Sequence, residues 1–374
     1  FRVMHIVQIA NFVTPTSGGQ RFALESLATQ YVDQGNKCTL ITPGASKTSR
    51  GDGRRNYVSL PGIRVPFSGG YRAIIRKKAL QNALKELQPD IVELSDKTTL
   101  SWVPQWCHEA GIPCVLFSHE RASDVVSERF PKWLPVSPVF RRWATKIDKH
   151  IDVIVCASQY SAAEYLHVKE RVRIIPLGVD HSVFRHYETF NQLDALPTVL
   201  FAGRLSYEKR PHVALLAARE LNLRGVKAKF VIAGDGPMRK KLESMAHGLD
   251  VTFLGRVNDR QELAMLMSSS TVAISPSPLE TFGLSILEVL ACGTPVVVAN
   301  AGAGLEIVDS GCGEVAEPTG TAMADAIEKM LSQHTPTIRR HCVSRASHYS
   351  WSASAASMVW LYESLLNQHH RLAA

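Results

Sequence analysis

Residues 275–299, S-P-S-P-L-E-T-F-G-L-S-I-L-E-V-L-A-C-G-T-P-V-V-V-A, read as loop, helix, turn and buried strand. Pro276 and Pro278 hold the lead-in out of helix, because the residue before a proline is pushed towards extended backbone. Leu284, Leu287 and Leu290 recur at helical spacing, Gly293 stands where a helix is capped at its C-terminus, and Val296 to Val298 form an apolar run. The helix is therefore expected to start near Phe282-Gly283. Its first amides lack internal partners and carry partial positive charge, so they favour an anionic or hydroxyl-rich ligand. Glu280 lies just before that start and Glu288 one to two turns inside it, with seven residues between them. Two carboxylates so placed can grip sugar hydroxyls at two points, while the amides of Phe282, Gly283, Leu284 and Ser285 face a phosphate or hexose. The plain alternative makes Glu280 an N-terminal cap and Glu288 an exposed helix charge.

Outward from this stretch the same alternation repeats. T-V-L-F-A-G (198–203), K-F-V-I-A-G (229–234), V-T-F-L-G (251–255) and T-V-A-I-S-P (271–276) are apolar runs, with helical patterns over 212–223, 238–247 and 261–268. Upstream, similar runs fall at 3–9, 38–42, 91–94, 114–118, 153–157 and 172–176, with a helical pattern over 76–87. Short strands alternating with helices argue for parallel sheets covered on both faces. The polar stretch H-Y-E-T-F-N-Q-L-D-A-L-P (186–197) interrupts the pattern, so a linker near residues 181–197 divides a first α/β domain, residues 1–185, from a second, residues 186–351. The tail from Ser350 to about Leu366 is an amphipathic helix carrying Trp351, Met358, Leu361 and Leu365.

At 374 residues, 45% hydrophobic and 20% charged, the chain has apolar material for two domains of ordinary size. No apolar run reaches the roughly 20 residues needed to span a bilayer, and the opening V-M-H-I-V-Q-I-A carries no leader pattern. The seven cysteines are scattered, odd in number and without a C-x-x-C pair, which favours reduced thiols over disulfides or zinc. A cytoplasmic protein is the expectation. The formal charge of +8 is uneven: residues 1–185 hold 25 Lys and Arg against 16 Asp and Glu, a net +9, and the remainder nets −1. Such an excess suits an anionic membrane face or an acidic acceptor. No helix-turn-helix, zinc-finger or RNA-recognition pattern accompanies it, so nucleic acid is not expected. Residues 121–149 interleave basic side chains with Phe130, Trp133, Phe140 and Trp143, a pattern that can lie on anionic lipid. A solvated face with its aromatics turned inward is the alternative.

Several other stretches carry candidate chemistry. P-T-S-G-G-Q-R places Gly18 and Gly19 where a strand gives way to a helix from about Gln20, so the backbone can approach a ligand, though a plain tight turn reads equally simply. F-A-G-R-L-S-Y-E-K-R ends a strand at Gly203 and follows it with Arg204 and Lys209, at the edge of the sheet where α/β proteins bind ligands. A planar fork and a point charge suit a diphosphate; an ion pair of Lys209 with Glu208 is the alternative. V-I-A-G-D-G-P is a strand-end turn with Gly234 at its head, and V-T-F-L-G-R-V leaves Arg256 just past a strand end, where an exposed arginine is the plain reading. In F-S-H-E-R, His119 ends a first-domain strand, and an isolated histidine is more often structural than catalytic.

Taken in order, G-R-L-x-x-E-K and then E-x7-E followed by A-C-G-T-P-V-V resemble the donor-site motifs of the retaining glycosyltransferases of family 4, the glycosyl transferases group 1. The likeness covers most of the chain and is similar in pattern to actinobacterial mannosyl- and glucosyltransferases. It implies the GT-B fold, two Rossmann-like domains facing each other across a cleft. The first, completed by the C-terminal helix over about 352–374, would bind the acceptor, and the second the nucleotide-sugar donor. It also implies roles: Arg204 and Lys209 on the diphosphate, Glu280 on the sugar, Glu288 on the ribose, Arg256 at a nucleobase edge, Gly18 and Gly19 near the donor diphosphate, and His119 near the transferred sugar. Glu120 departs from the aspartate the family commonly has after that histidine.

The expected function is transfer of a hexose, mannose first, from a nucleotide sugar to a lipid or glycan acceptor, with retention. GDP-mannose leads as donor and UDP-glucose follows. No D-x-D motif is present, so no metal is obligatory, and magnesium is expected at most as a companion of the nucleotide. The expected place of work is the cytoplasm, peripherally at the inner face of the plasma membrane. Two rival readings fit the same residues. One is a sugar-nucleotide epimerase on the same fold; the other is a non-catalytic nucleotide-sugar-binding protein docked on membrane.

Overall fold

The computed structural model describes residues 3–11, 13, 18–65, 71–119, 149–188, 196–333 and 335–373. Most of the basic and aromatic stretch 121–149 lies outside them, as do Glu120 and much of the polar stretch 186–197. Contacts divide the chain into two units, Phe1–Leu177 with Trp351–Ala374, and Gly178–Ser350.

The first unit is built on β1 (His5–Ile9), β2 (Lys37–Gly44), β3 (Thr48–Gly51), β4 (Arg55–Pro61), the short pair β5 (Ile63–Arg64) and β6 (Arg72–Ala73), then β7 (Ile91–Leu94), β8 (Cys114–Ser118), β9 (Val153–Cys156) and β10 (Val172–Ile174). Its main sheet runs β10-β9-β8-β7-β1-β2-β4-β3, parallel except where β3 pairs antiparallel with β4. Sequence patterning places no strand between residues 42 and 91. For β3 and β5 the reason is exposure, since every residue of T-S-R-G and I-R faces solvent and shows no buried apolar face to read; β4, with Val58 and Leu60 buried, was missed despite its alternation.

At the middle of this sheet β7 carries a fully buried carboxyl, Glu93. Tyr31 and Tyr362 donate to its Oε2 at 2.9 and 2.6 Å, and Gln8 Nε2 donates to Oε1 at 3.0 Å. Burial pushes the Glu93 carboxyl up and the three donors oppose that push. The network binds the C-terminal helix Trp351–Ala373 to the helix Gly19–Asp33 and to the sheet in one step, since Tyr362 and Tyr31 come from those two helices.

The second unit holds β11 (Thr198–Ala202), β12 (Lys229–Ala233), β13 (Val251–Gly255), β14 (Val272–Ser275), β15 (Val296–Ala299) and β16 (Gly313–Ala316). They form one parallel sheet in the order β13-β12-β11-β14-β15-β16. Phe201, Ile232, Val272 and Val297 pack from the strands against Leu215 of helix Pro211–Leu223 and Ile327 of helix Gly320–Ser332. Chain direction across the sheet reverses between β11 and β14, and in doubly wound sheets ligands bind beyond the carboxyl ends of the strands at that point. The two loops that leave β11 and β14 there are the two motif-bearing stretches. All seven cysteines are buried free thiols. No helix among the described residues is long and apolar enough to cross a membrane.

Candidate functional site

The loops leaving β11 and β14 are tied together. Lys209 Nζ donates to Glu280 Oε2 at 2.6 Å, and Ser277 Oγ donates to the Glu208 carbonyl at 2.7 Å. The Ser206 hydroxyl satisfies the Glu208 carboxylate. Lys209 is therefore paired with a carboxylate 71 residues away, and the neighbouring Glu208 that sequence offered as its partner is engaged elsewhere. The Lys209 and Glu280 side chains are 35% and 12% exposed, so the pair reaches solvent through the lysine. Arg210, where this loop turns into helix Pro211–Leu223, holds a left-handed φ of +49°, uncommon for a residue with a side chain. Arg204 stands on the same loop, exposed, with no side-chain partner among the described residues.

Helix Leu284–Ala291 begins where the spacing places it, with Gly283 at the N-cap and no side chain capping its first amides. Gly283 adopts φ +96°, and a Cβ there would stand 2.9 Å from Ile286 Cδ1, so a side chain is strained and crowded at once. Phe282 sits at this corner, but its ring is turned into the core, 5% exposed and edge-on to Tyr349 at 6.2 Å. Phe282 can thus serve a ligand only through its backbone, while Leu284 and Ser285 open the helix with their amides. The Ala303 amide donates to the Glu280 carbonyl at 2.7 Å and fixes the lead-in from the β15 side.

Glu288 lies in the second turn of that helix with a side chain 16% exposed, which removes the reading of an exposed helix charge. Burial pushes its carboxyl up to about 7; Arg260 opposes and Asp180 reinforces the rise. Arg260 Nη2 stands 3.7 Å from Glu288 Oε1, and its guanidinium lies over the Phe184 ring, 4.9 Å from the centroid. Sequence patterning missed Arg260 altogether, because it sits outside the 261–268 pattern, at the first position of helix Arg260–Ser269.

Gly234 packs two loops together. Its amide donates to the Gly255 carbonyl at 2.7 Å, and a Cβ there would lie 1.8 Å from the Gly203 carbonyl oxygen. The structure therefore explains this glycine by the close approach of the β11 and β12 ends rather than by direct ligand contact. Arg256, at the end of β13, is exposed and bonds to nothing among the described residues.

In the first unit, His119 follows β8. Its Nε2 lies 3.3 Å from Ser95 Oγ and its ring stacks on Phe117 at 4.4 Å. Desolvation pulls the imidazole down to about 3, so it is neutral near pH 7. Beside it Lys97, buried, bonds the Tyr165 hydroxyl at 2.7 Å and pairs with Glu164 at 2.8 Å. Helix Gly19–Asp33 starts one residue earlier than the spacing suggests, and a Cβ on Gly18 would meet nothing within 4 Å. Among the described residues no group of three or more His, Cys, Asp or Glu is placed to hold a metal ion.

Residues 188–348 match the glycosyl transferases group 1, and residues 17–183 match glycosyltransferase family 4. Over 366 residues, 95% of either chain, the sequence is 37% identical to a GDP-mannose-dependent alpha-(1-6)-phosphatidylinositol dimannoside mannosyltransferase of Mycobacterium tuberculosis. It is 28% identical over 309 residues, 76% of this chain and 68% of the other, to the alpha-monoglucosyldiacylglycerol synthase of Streptococcus pneumoniae. Among solved structures, sucrose-phosphate synthase from Thermosynechococcus elongatus aligns with a TM-score of 0.80 at 20% identity, over 98% of this chain and 100% of that one. Anabaena Alr3699/HepE in complex with UDP and glucose aligns at 0.75 and 18% identity, over 96% and 100%. These two likenesses speak for the fold, the GT-B architecture of two Rossmann-like domains.

Proposed function

The chain belongs to glycosyltransferase family 4, whose members move sugar from a nucleotide sugar, and we propose that it transfers mannose from GDP-mannose to a lipid-borne glycan, with retention. The observation that carries the reading is the Lys209–Glu280 pair, set at the sheet's switch point between Arg204 and the uncapped start of helix Leu284–Ala291. That arrangement offers two cations and a row of amides to a diphosphate, and a carboxylate to a sugar. The mannosyltransferase relative supports mannose, GDP and a mannosylated phosphatidylinositol as acceptor. The net +9 of residues 1–185 supports work at an anionic membrane surface.

The chemistry follows from charge. The bond between the anomeric carbon and the phosphate oxygen breaks, its electron pair stays on the diphosphate, and the anomeric carbon turns electron-poor. Arg204, Lys209 and the amides of Gly283, Leu284 and Ser285 meet the new negative charge, which is stabilisation aimed where charge develops. Glu280, held by Lys209, accepts from hexose hydroxyls, and Glu288 accepts from the ribose. The acceptor hydroxyl attacks from the face the diphosphate leaves and gives its proton to the departing phosphate oxygen. No side chain becomes covalently bound, and no resident metal is required by the scheme. In the first unit, His119 offers a neutral hydrogen-bonding group and the start of helix Gly19–Asp33 a polar backbone surface.

Calorimetric titration with GDP, UDP and ADP tests the donor, followed by GDP-mannose turnover with and without a mannosylated phosphatidylinositol acceptor. The expected result is tightest binding of GDP and GDP release in proportion to an α-linked product. Tighter binding of UDP would reassign the donor, and an inverted product would end the front-face scheme. Binding of none of the three would leave a non-catalytic protein.

A further inference from the structure

We propose that Arg260 is a positioning residue for donor binding, which through its 3.7 Å contact holds Glu288 as the anion that grips the ribose hydroxyls. The inference rests on the reading of Glu288 as the ribose ligand and adds to it the group that keeps that ligand competent.

The placement of Arg260 is hard to explain by helix stability. It occupies the first position of helix Arg260–Ser269, whose Asp259 cap accepts from the Gln261 and Glu262 amides. That end of a helix carries partial positive charge and favours acidic residues, so a guanidinium there is electrostatically misplaced unless something else holds it. Two groups do. Phe184, 1% exposed, offers its ring face at 4.9 Å, and Glu288 offers its carboxylate. The aromatic face fixes the plane of the guanidinium and the carboxylate fixes its direction.

Glu288 needs a cation. Enclosed as it is, its carboxyl is drawn up to about 7, and of the groups acting on it Asp180 raises it further while Arg260 lowers it. Cys292, one turn along the same helix, is a thiol pushed up to about 12 and brings no positive charge. Helix Pro336–Ser347 also packs on this helix, but its Arg339 donates to the Ser268 carbonyl and its Cys342 thiol faces the Cys312 carbonyl. Arg260 is thus the group that favours the ionised form. Ionisation matters because a ribose diol donates two hydrogens, which a carboxylate accepts on both oxygens; a protonated carboxyl keeps one of them occupied as a donor.

The test is GDP binding between pH 6 and 9. In the wild type, affinity weakens as pH falls through about 7, where Glu288 takes its proton. Arg260→Met keeps a long stem on Phe184 and removes the charge; its midpoint moves about one pH unit alkaline. Its affinity then falls about fivefold at pH 7 and meets the wild type at pH 9. Arg260→Lys restores most of the loss at pH 7. Equal weakening of Arg260→Met at pH 6 and pH 9, or an unmoved midpoint, would overturn the proposal. Two controls separate it from the reading beneath it. Glu288→Gln should abolish the step near pH 7, leaving only the drift of the nucleotide's own phosphate, and if it alters neither affinity nor profile, the ribose assignment itself has failed. The wild type with 2′,3′-dideoxy-GDP needs no variant to fold: its binding should lack the step near pH 7 and keep only the drift set by the nucleotide's own terminal phosphate, whose second pKa is about 6, and a profile matching that of GDP counts against the proposal.

Discussion

Replacing Lys209 with alanine separates catalysis from architecture. The side chain has two partners in the proposed scheme, Glu280 before the donor arrives and the diphosphate as the glycosyl bond breaks. At 2.6 Å and an effective dielectric near 20, the Lys209–Glu280 attraction is about 6 kcal/mol before desolvation is subtracted. With the lysine side chain 35% exposed, solvent screening leaves a net of about 1 kcal/mol. Lys209→Ala should therefore lower the melting temperature only modestly, by about 2–4 °C for a unit of this size. Turnover should fall much further, by roughly 100- to 1000-fold at saturating donor, because one member of a preorganised set of charge-stabilising donors is gone. The assay is GDP release under saturating donor and acceptor, with thermal unfolding on the same preparation. Lys209→Arg should recover melting temperature and part of the turnover. If Lys209→Ala lost the melting temperature but kept turnover within about tenfold, the residue would be a brace between two loops, and its catalytic role would be wrong.

Other expectations follow from single contacts. Glu288 is drawn up to about 7 from 4.5, so the folded unliganded protein holds that proton more tightly than the unfolded chain. The associated stability is full below about pH 4.5 and is lost as pH rises through about 7, on the order of 3 kcal/mol, and urea unfolding of Glu288→Gln at pH 5 and 7.5 should lack that decline. Gly234→Ala forces a Cβ to 1.8 Å from the Gly203 carbonyl, so the β11 and β12 loops must part; an unfolded protein or a drop of about 5–10 °C with lost GDP binding is expected. Gly18→Ala, with open space around its Cβ, should melt as the wild type does, and its turnover reports whether a ligand comes close there. Tyr362→Phe removes the 2.6 Å donor to Glu93 and should cost about 1–3 kcal/mol, read as faster proteolysis of the C-terminal helix. The loss should shrink at acid pH, where the Glu93 carboxyl, already pushed up by burial, takes a proton.

What the sequence revealed and what it hid divide along physical lines. Most of the parallel strands were legible, β4 and β16 excepted, because strands buried on both faces are continuous apolar runs: V-V-V-A and V-I-V-C could hardly be anything else. β3 and β5 were not, since their residues face solvent and carry no period, and β4 was missed although Val58 and Leu60 alternate into the core along it. Helix Leu284–Ala291 was legible from its spacing and from Gly283, whose positive φ demands what only glycine supplies cheaply. The partners of the site were not. Lys209 sits beside Glu208 in sequence yet pairs with Glu280, and nothing local to Arg260 points 28 residues ahead to Glu288. Glu93 was hidden for a different reason: I-V-E-L reads as a strand whatever its third residue does, and its donors lie 62, 85 and 269 residues away.

The two carboxylates of the second unit pose a problem that the pairing solves. A diphosphate is anionic, and a site holding Glu280 and Glu288 would repel it if both stood alone. Each is faced instead by a cation from a different segment, Lys209 on the loop after β11 and Arg260 at the start of the helix after β13. The pairings are unequal. Lys209 bonds Glu280 directly at 2.6 Å, whereas Arg260 stands 3.7 Å from Glu288, shared with the Phe184 ring and opposed by Asp180. A close pair shifts its lysine towards an arriving phosphate without exposing a bare carboxylate, since the sugar hydroxyls take over as donors to Glu280. A loose pair leaves Glu288 poised near neutrality, so donor binding, in the scheme proposed here, is the step that responds to pH. The slower chemical step, which leans on Lys209, Arg204 and the helix amides, should be far less sensitive over the same range. Measuring kcat at saturating donor against Kd for GDP from pH 6 to 8 sets these two pairings against each other. A kcat that falls as steeply as the affinity would mean that Glu288 acts on the reacting sugar and not on the ribose.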